Sequence, residues 1–118
     1  RLQAGRLMGL GDVSKKSVPK MTLITAANGN AVINTRSFIP HHVHASIGVF
    51  AAISVATACV IPHTVAAPVA RLPDDTDYMI EHPSGTINVR LEMQADGTIQ
   101  KSGIIRTARK LMDGSVFV

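Results

Sequence analysis

Between Ala45 and Ile61 the chain runs for seventeen residues without a charge, ASIGVFAAISVATACVI. The run is entered through Pro40-His41-His42-Val43-His44 and closed by Pro62. A segment of this kind either spans a bilayer or forms a helix with protein on every side. It sits at the short end of the ~17–25 residues a span requires. Six of its residues are Ala or Gly, and Ser46, Ser54 and Thr57 add hydroxyls. No Trp or Tyr anchors either end, and no Lys or Arg flanks it closely. Small residues spread around a helix suit close packing inside a β-shell, so an encased helix is expected and a membrane span is not.

A chain of 118 residues is one domain at most, with room for a modest core. Its apolar content of 46% supports a globular class and argues against disorder. With no Trp, one Tyr and three Phe, that core must be aliphatic. Cys59 stands alone, so no internal disulfide can form and nothing points to an oxidising compartment. A buried, inert thiol and a cytoplasmic location are the matching expectations. The chain opens inside the amphipathic phrase Arg1–Met8 and closes inside the β-rich phrase Ser115–Val118, which reads as a piece of a longer protein.

The formal charge of +4 raises the question of nucleic acid. The basic residues are scattered, however: Arg1, Arg6, Lys15, Lys16 and Lys20 early, then Lys101, Arg106, Arg109 and Lys110 late. An aromatic content of 3% supplies no platform for stacking bases. A small anionic substrate explains the basic excess equally well. A small, basic, non-enzymatic module binding nucleic acid or protein is the alternative reading.

The spacing predicts an opening helix ended by Gly9-Leu10-Gly11-Asp12, then a strand over Val18–Ala26. Asn28-Gly29 is a two-residue hairpin signal, with Ala31–Phe38 returning before the long helix. Pro62, Pro68 and Pro73 mark a loop, and Asp74, Asp75 and Asp77 a solvated turn. Tyr78–Glu81 reads as a short strand entering the turn His82-Pro83-Ser84-Gly85. Thr86–Met93 alternates, Asp96-Gly97 turns, and Thr98–Lys110 returns. Asp113-Gly114 reads as a last hairpin into Ser115–Val118. The class is α+β, with a curled antiparallel sheet around one central apolar helix.

His41, His42 and His44 stand at the mouth of that helix. No carboxylate or thiol follows at metal-ligand spacing, so no metal site is expected. A helix start presents unpaired N–H groups and the positive end of a dipole, which favours carboxylates. His44 there suits an acid/base role near neutrality, or a plain capping role. Ser46 lacks a local base and orienting acid, and reads as a cap or hydrogen-bond donor. Ser84 and Gly85 form either an anion-binding turn or a simple one. Lys20, after Pro19, suits a carboxylate if it faces a cleft and is otherwise an edge lysine.

Four phrases then carry a resemblance: Arg106-Thr107-Ala108-Arg109-Lys110-Leu111-Met112-Asp113-Gly114, Met8-Gly9-Leu10-Gly11-Asp12, Val18-Pro19-Lys20 and Glu81-His82-Pro83-Ser84-Gly85. Together with the His44-led apolar helix, they resemble the PrpF-like isomerases, a branch of the diaminopimelate-epimerase fold, over nearly the whole chain. The tautomerase branch is the most similar. The resemblance implies two lobes, each a curled sheet around a helix, with substrate between the two helix N-termini. Residues 1–118 would be the second lobe, with the first lobe as a missing partner. The implied reaction is a 1,3-proton shift, without cofactor or metal, in an unsaturated di- or tricarboxylate of the 4-oxalomesaconate or methylaconitate kind. Implied partners are that small polycarboxylate and further copies in a homo-oligomer, with neither nucleic acid nor membrane. The family's first-lobe cysteine, in a Cys-Gly-Asn type phrase, has no counterpart here, and Cys59 lies near the wrong end of its helix. The epimerase branch places a second cysteine where this chain reads His42-Val43-His44-Ala45-Ser46, so two-thiol chemistry is not implied. Carried over residue by residue, His44 is the catalytic candidate, and Lys20, Ser84, Gly85 and Arg106 are the substrate-binding ones.

Overall fold

The computed structural model describes residues 1–117. A short helix α1 (Leu2–Leu7) precedes β1 (Met21–Thr25) and β2 (Ile33–Phe38). Helix α2 (Val49–Val60) follows, then β3 (Asp77–His82), β4 (Gly85–Met93) and β5 (Ile99–Ile105). The strands form one five-stranded sheet in the order β1-β2-β3-β4-β5. The α+β class therefore stands, with one change to the sheet. β2 and β3 pair in parallel, Ile33 with Ile80 and Asn34 with Glu81, whereas the other pairs are antiparallel. Parallel neighbours need a long crossover, and residues 39–76 supply it with α2 inside.

Alternation along the strands sends one face to the helix. Ile33, Thr35 and Ser37 are buried from β2, Tyr78 and Ile80 from β3, and Val89 and Leu91 from β4. Helix α2 packs across β3, β4 and β5, and buries Ala52, Val55, Ala56 and Cys59 in the same cluster. Its opposite side is not covered: Phe50 is 86% exposed and Ser54 is exposed. The encased helix of the sequence reading is thus encased on one side, because the single sheet reaches only one face of it.

The helix also begins later than the apolar run. The Ile39 N–H donates to the His42 carbonyl, Val43 bridges Phe38, and the His44 N–H donates to the Ser37 carbonyl. These bonds fold residues 43–44 back along β2, so they cannot join the helix. Gly48, in extended conformation, is the N-cap. Ile47 before it is buried in the same core as Ala52, an apolar clasp that fixes the entry angle. Pro62 follows the C-cap Ile61, and the Thr64 hydroxyl donates to the Ala58 carbonyl left free there.

Other boundaries differ too. β1 begins at Met21 rather than Val18, and Asn28-Gly29 lies within a seven-residue loop, 26–32, instead of forming a tight hairpin. β5 ends at Ile105, short of Lys110. Residues 106–117 have no regular structure and are exposed throughout, Leu111, Met112, Val116 and Phe117 included. No turn forms at Asp113-Gly114, where Lys110 instead pairs with Asp113, and the expected end of that hairpin at Val118 lies outside the described residues. This tail leaves the chain with a radius of gyration of 17.1 Å, against about 13 Å for a compact chain of this length.

Candidate active site

The topology gathers the polar candidates at one end of the sheet. The start of β1, the ends of β2 and β3, the start of β4 and the end of β5 all lie there, as does the N-terminus of α2. α2 has no side-chain cap and no acidic residue in its first turn. The first-turn N–H groups of Val49, Phe50 and Ala51 are therefore left pointing out of the helix end.

Beside that end lies a cluster drawn from two distant stretches of chain. His82 closes β3, and its Nε2 lies 3.5 Å from the Ser46 hydroxyl. Its Nδ1 lies 3.3 Å from the Ser84 hydroxyl, which donates to the Ala45 carbonyl at 2.6 Å. His82 and Ser46 are half-buried and Ser84 is exposed. Gly85 makes this tight turn possible, since its φ of 145° is strained for any residue with a Cβ. A Cβ there would sit 3.9 Å from the His82 ring, an ordinary contact, so the restriction is conformational rather than steric.

His44 lies at the same mouth and is exposed, with its Nδ1 3.1 Å from the Ser46 N–H and 3.0 Å from the Ser46 carbonyl. That ring staples the loop leading into α2. Lys20 is exposed just before β1, and the β1–β2 register, extended by one residue, sets it opposite Ile39. Arg106 is exposed just after β5, and the β4–β5 register sets it opposite Ile87. Ser84, Gly85 and His44 therefore come together, whereas Lys20 and Arg106 stand on opposite edges of the sheet. Four strand spacings separate them, about 19 Å along the sheet, farther than a small polycarboxylate spans.

The loop before Lys20 is held firmly. The Arg1 guanidinium donates to the carbonyls of Val13 at 2.6 Å, Lys16 at 2.9 Å, Val18 at 3.0 Å and Ser14 at 3.3 Å. Hydrogen bonds from the Ser14 N–H and hydroxyl hold the Asp12 carboxyl below its ordinary range. Other cations are spoken for: Arg90 pairs with Asp77 and Lys101 with Glu92. On the face of the sheet away from α2 an open depression of about 340 Å³ is lined by Asn34, Arg36, Glu81 and Thr86, and it meets the cluster only at His82 and Gly85. Cys59 is buried on the sheet side of α2, where desolvation pushes its thiol up to about 11. Among the described residues no three His, Cys, Asp or Glu side chains converge as a metal site would require. Among them also, no helix is long and apolar enough to cross a membrane.

Sequence reasoning missed the pairing of His82 with Ser46. It treated His82 as part of a turn and set Ser46 aside for want of a base. The two are 36 residues apart, and no local pattern joins them. The His-x-Ser spacing of His82 and Ser84 was the only available signal.

A curled sheet with one helix across it defines a fold class found among solved structures. A crystal structure of methylitaconate-delta-isomerase matches 97% of this chain with a TM-score of 0.72 at 24% identity, over 34% of its own length. The model of the PrpF protein family matches residues 1–118, and the chain belongs to that family. It is 51% identical to the (4E)-oxalomesaconate Delta-isomerase of Novosphingobium sp. strain KA1, over 100% of this chain and 34% of that protein. It is 50% identical to the 4-oxalomesaconate tautomerase of Pseudomonas putida strain KT2440, over 100% of this chain and 33% of that protein. The chain thus spans about a third of the length of these curated relatives.

Proposed function

We propose that this chain is the second lobe of a two-lobed isomerase whose intact form shifts a proton between carbons one and three of an unsaturated di- or tricarboxylate. An oxalomesaconate is the first substrate to test, by analogy with the relatives at half identity. The observation that carries the reading is the Ser46–His82–Ser84 cluster beside the uncapped N-terminus of α2. Such an end holds a carboxylate through its N–H groups and dipole. The same field stabilises the dienolate that forms when a proton leaves the carbon skeleton.

In this reading the exposed side of α2 and the apolar Leu111, Met112, Val116 and Phe117 of the tail meet the other lobe, and the substrate lies between the lobes. Ser84 and Gly85 shape the floor of the site and His44 fixes its rim. Only one of Lys20 and Arg106 reaches a given substrate directly from this lobe. A cytoplasmic location belongs to the same reading and is supported by the free thiol of Cys59.

The test is turnover by the intact parent in deuterium oxide, followed by proton NMR. Deuterium should enter the carbon skeleton during isomerisation, at a rate unchanged by a metal chelator. Turnover without exchange, or activity abolished by chelator, would overturn the mechanism.

A further inference from the structure

We propose that the segment Arg1–Lys20 is an electrostatic collector that draws a polyanionic substrate to the mouth of the site, with Lys15 and Lys16 acting through their field rather than by contact. This rests on the isomerase reading above and names how its substrate is gathered. The charge of the chain is unevenly spread. Arg1, Arg6, Lys15, Lys16 and Lys20 stand in residues 1–20 against Asp12 alone, so this segment carries the whole formal charge of +4. The rest of the chain is balanced. Among the described residues, none of these cations forms an ion pair. Asp12 is turned onto the Ser14 N–H and hydroxyl, at 2.9 and 3.1 Å, and offsets only part of the charge of nearby Lys16.

The segment is held as one unit. Four carbonyls from residues 13–18 turn onto the Arg1 guanidinium. Gly5 lets α1 close over the buried Val13, since a Cβ at Gly5 would sit 2.5 Å from Val13 Cγ2. Lys15, Lys16 and Lys20 are left exposed on the outside. The sheet fixes where the unit lies. Phe38, at the end of β2, pairs with Met21 on one side and with Val43 on the other. Lys20 and His44 therefore flank that end of β2, two strand spacings apart, about 10 Å. Lys16 lies four residues before Lys20, within about 14 Å along the chain. Acidic residues collect at the other end of the sheet. Asp74, Asp75 and Asp77 lie where β3 starts, and Glu92 and Asp96 where β4 turns into β5. The lobe is thus polarised along its strands, positive toward the mouth. Such a field raises the local concentration of an anion, and the gain grows with the anion's charge. A tricarboxylate is favoured over a monocarboxylate of the same skeleton.

The experiment uses the full-length parent and tricarballylate, an inert tricarboxylate, with binding measured by titration calorimetry. In about 20 mM salt, where the screening length is about 20 Å, Lys15→Gln/Lys16→Gln should weaken binding by about five-fold. Lys15→Glu/Lys16→Glu should weaken it further, since reversal doubles the change in charge. In about 500 mM salt, where that length falls to about 4 Å, all three proteins should bind alike. In turnover of an oxalomesaconate the same changes should raise KM and leave kcat within about two-fold. A loss that persists in high salt would mean direct contact and overturn the collector, as would unchanged binding in low salt. Failure of the parent to bind tricarballylate would overturn it too. Binding that follows the charge series, without turnover of any polycarboxylate, would instead sink the isomerase reading alone.

Discussion

Along α2, Ala52, Val55, Ala56 and Cys59 are sealed against β3, β4 and β5, whereas Phe50 and Ser54 on the other side look into open space. Both sides are drawn from the same uncharged run, so composition does not separate them. A helix that is apolar all round is stable only when both sides are covered. The sheet of this chain satisfies one side. Under the two-lobe reading the cover for the other comes from the remaining two-thirds of the parent's length, as it does for Leu111, Met112, Val116 and Phe117 after β5.

The largest expected effect contrasts the two sides directly. Ile80 lies fully buried beneath the helix, and Ile80→Ala should destabilise this chain by about 2–5 kcal/mol, read from the urea midpoint. Phe50→Ala should change this chain by no more than about 0.5 kcal/mol, as other exposed positions do. In the intact parent the same Phe50 change should cost about 3–5 kcal/mol, as at a buried Phe. Equal, small effects of Phe50→Ala in both contexts would break the idea that another lobe covers this side.

A smaller contrast adds bulk instead of removing it. Ala56 has no exposed surface, and Ala56→Leu should cost about 1–3 kcal/mol through overpacking. Ser54→Leu, on the open side, should stay within about 0.5 kcal/mol. Thermal melts of the two variants measure the difference, and matched losses would mean that the open side is already filled.

The smallest effect appears only in alkali. Burial raises the Cys59 thiol from 9.0 to about 11. The folded state therefore holds that proton more tightly than the unfolded one. Stability is fully present below the unfolded value and is lost as pH rises through the folded one. Unfolding midpoints should fall between pH 9.0 and about 11 in the wild type and less so in Cys59→Ala. Alkylation of the native thiol should stay slow below that window. Rapid labelling of the folded chain would show that the sheet side is not sealed either.

How much of this was legible beforehand follows from which interactions are local. The alternation Ile87-Val89-Leu91 and the turn at Asp96-Gly97 are properties of neighbours, so β4 and the start of its return strand appear where the sequence puts them, whereas that strand stops at Ile105, short of Lys110. The apolar run announces a helix for the same reason. Its starting point was not legible, because residues 43–44 are claimed by hydrogen bonds to β2 rather than by their own propensity. The parallel pairing of β2 with β3 was hidden as well, since register between distant strands depends on how the crossover packs.

The site divides in the same way. The residues of the helix mouth and of the Glu81–Gly85 turn are visible as phrases, and so is the family they resemble. What only the tertiary structure decided is that His82 meets Ser46, while Lys20 and Arg106 fall on opposite edges. The sequence by itself determined a small aliphatic α+β unit with one apolar helix, because hydrophobic periodicity and turn chemistry are local. Tertiary packing decided which side of that helix is covered and which base faces which hydroxyl, because contacts across 36 residues depend on strand order and the crossover path, which no local pattern encodes.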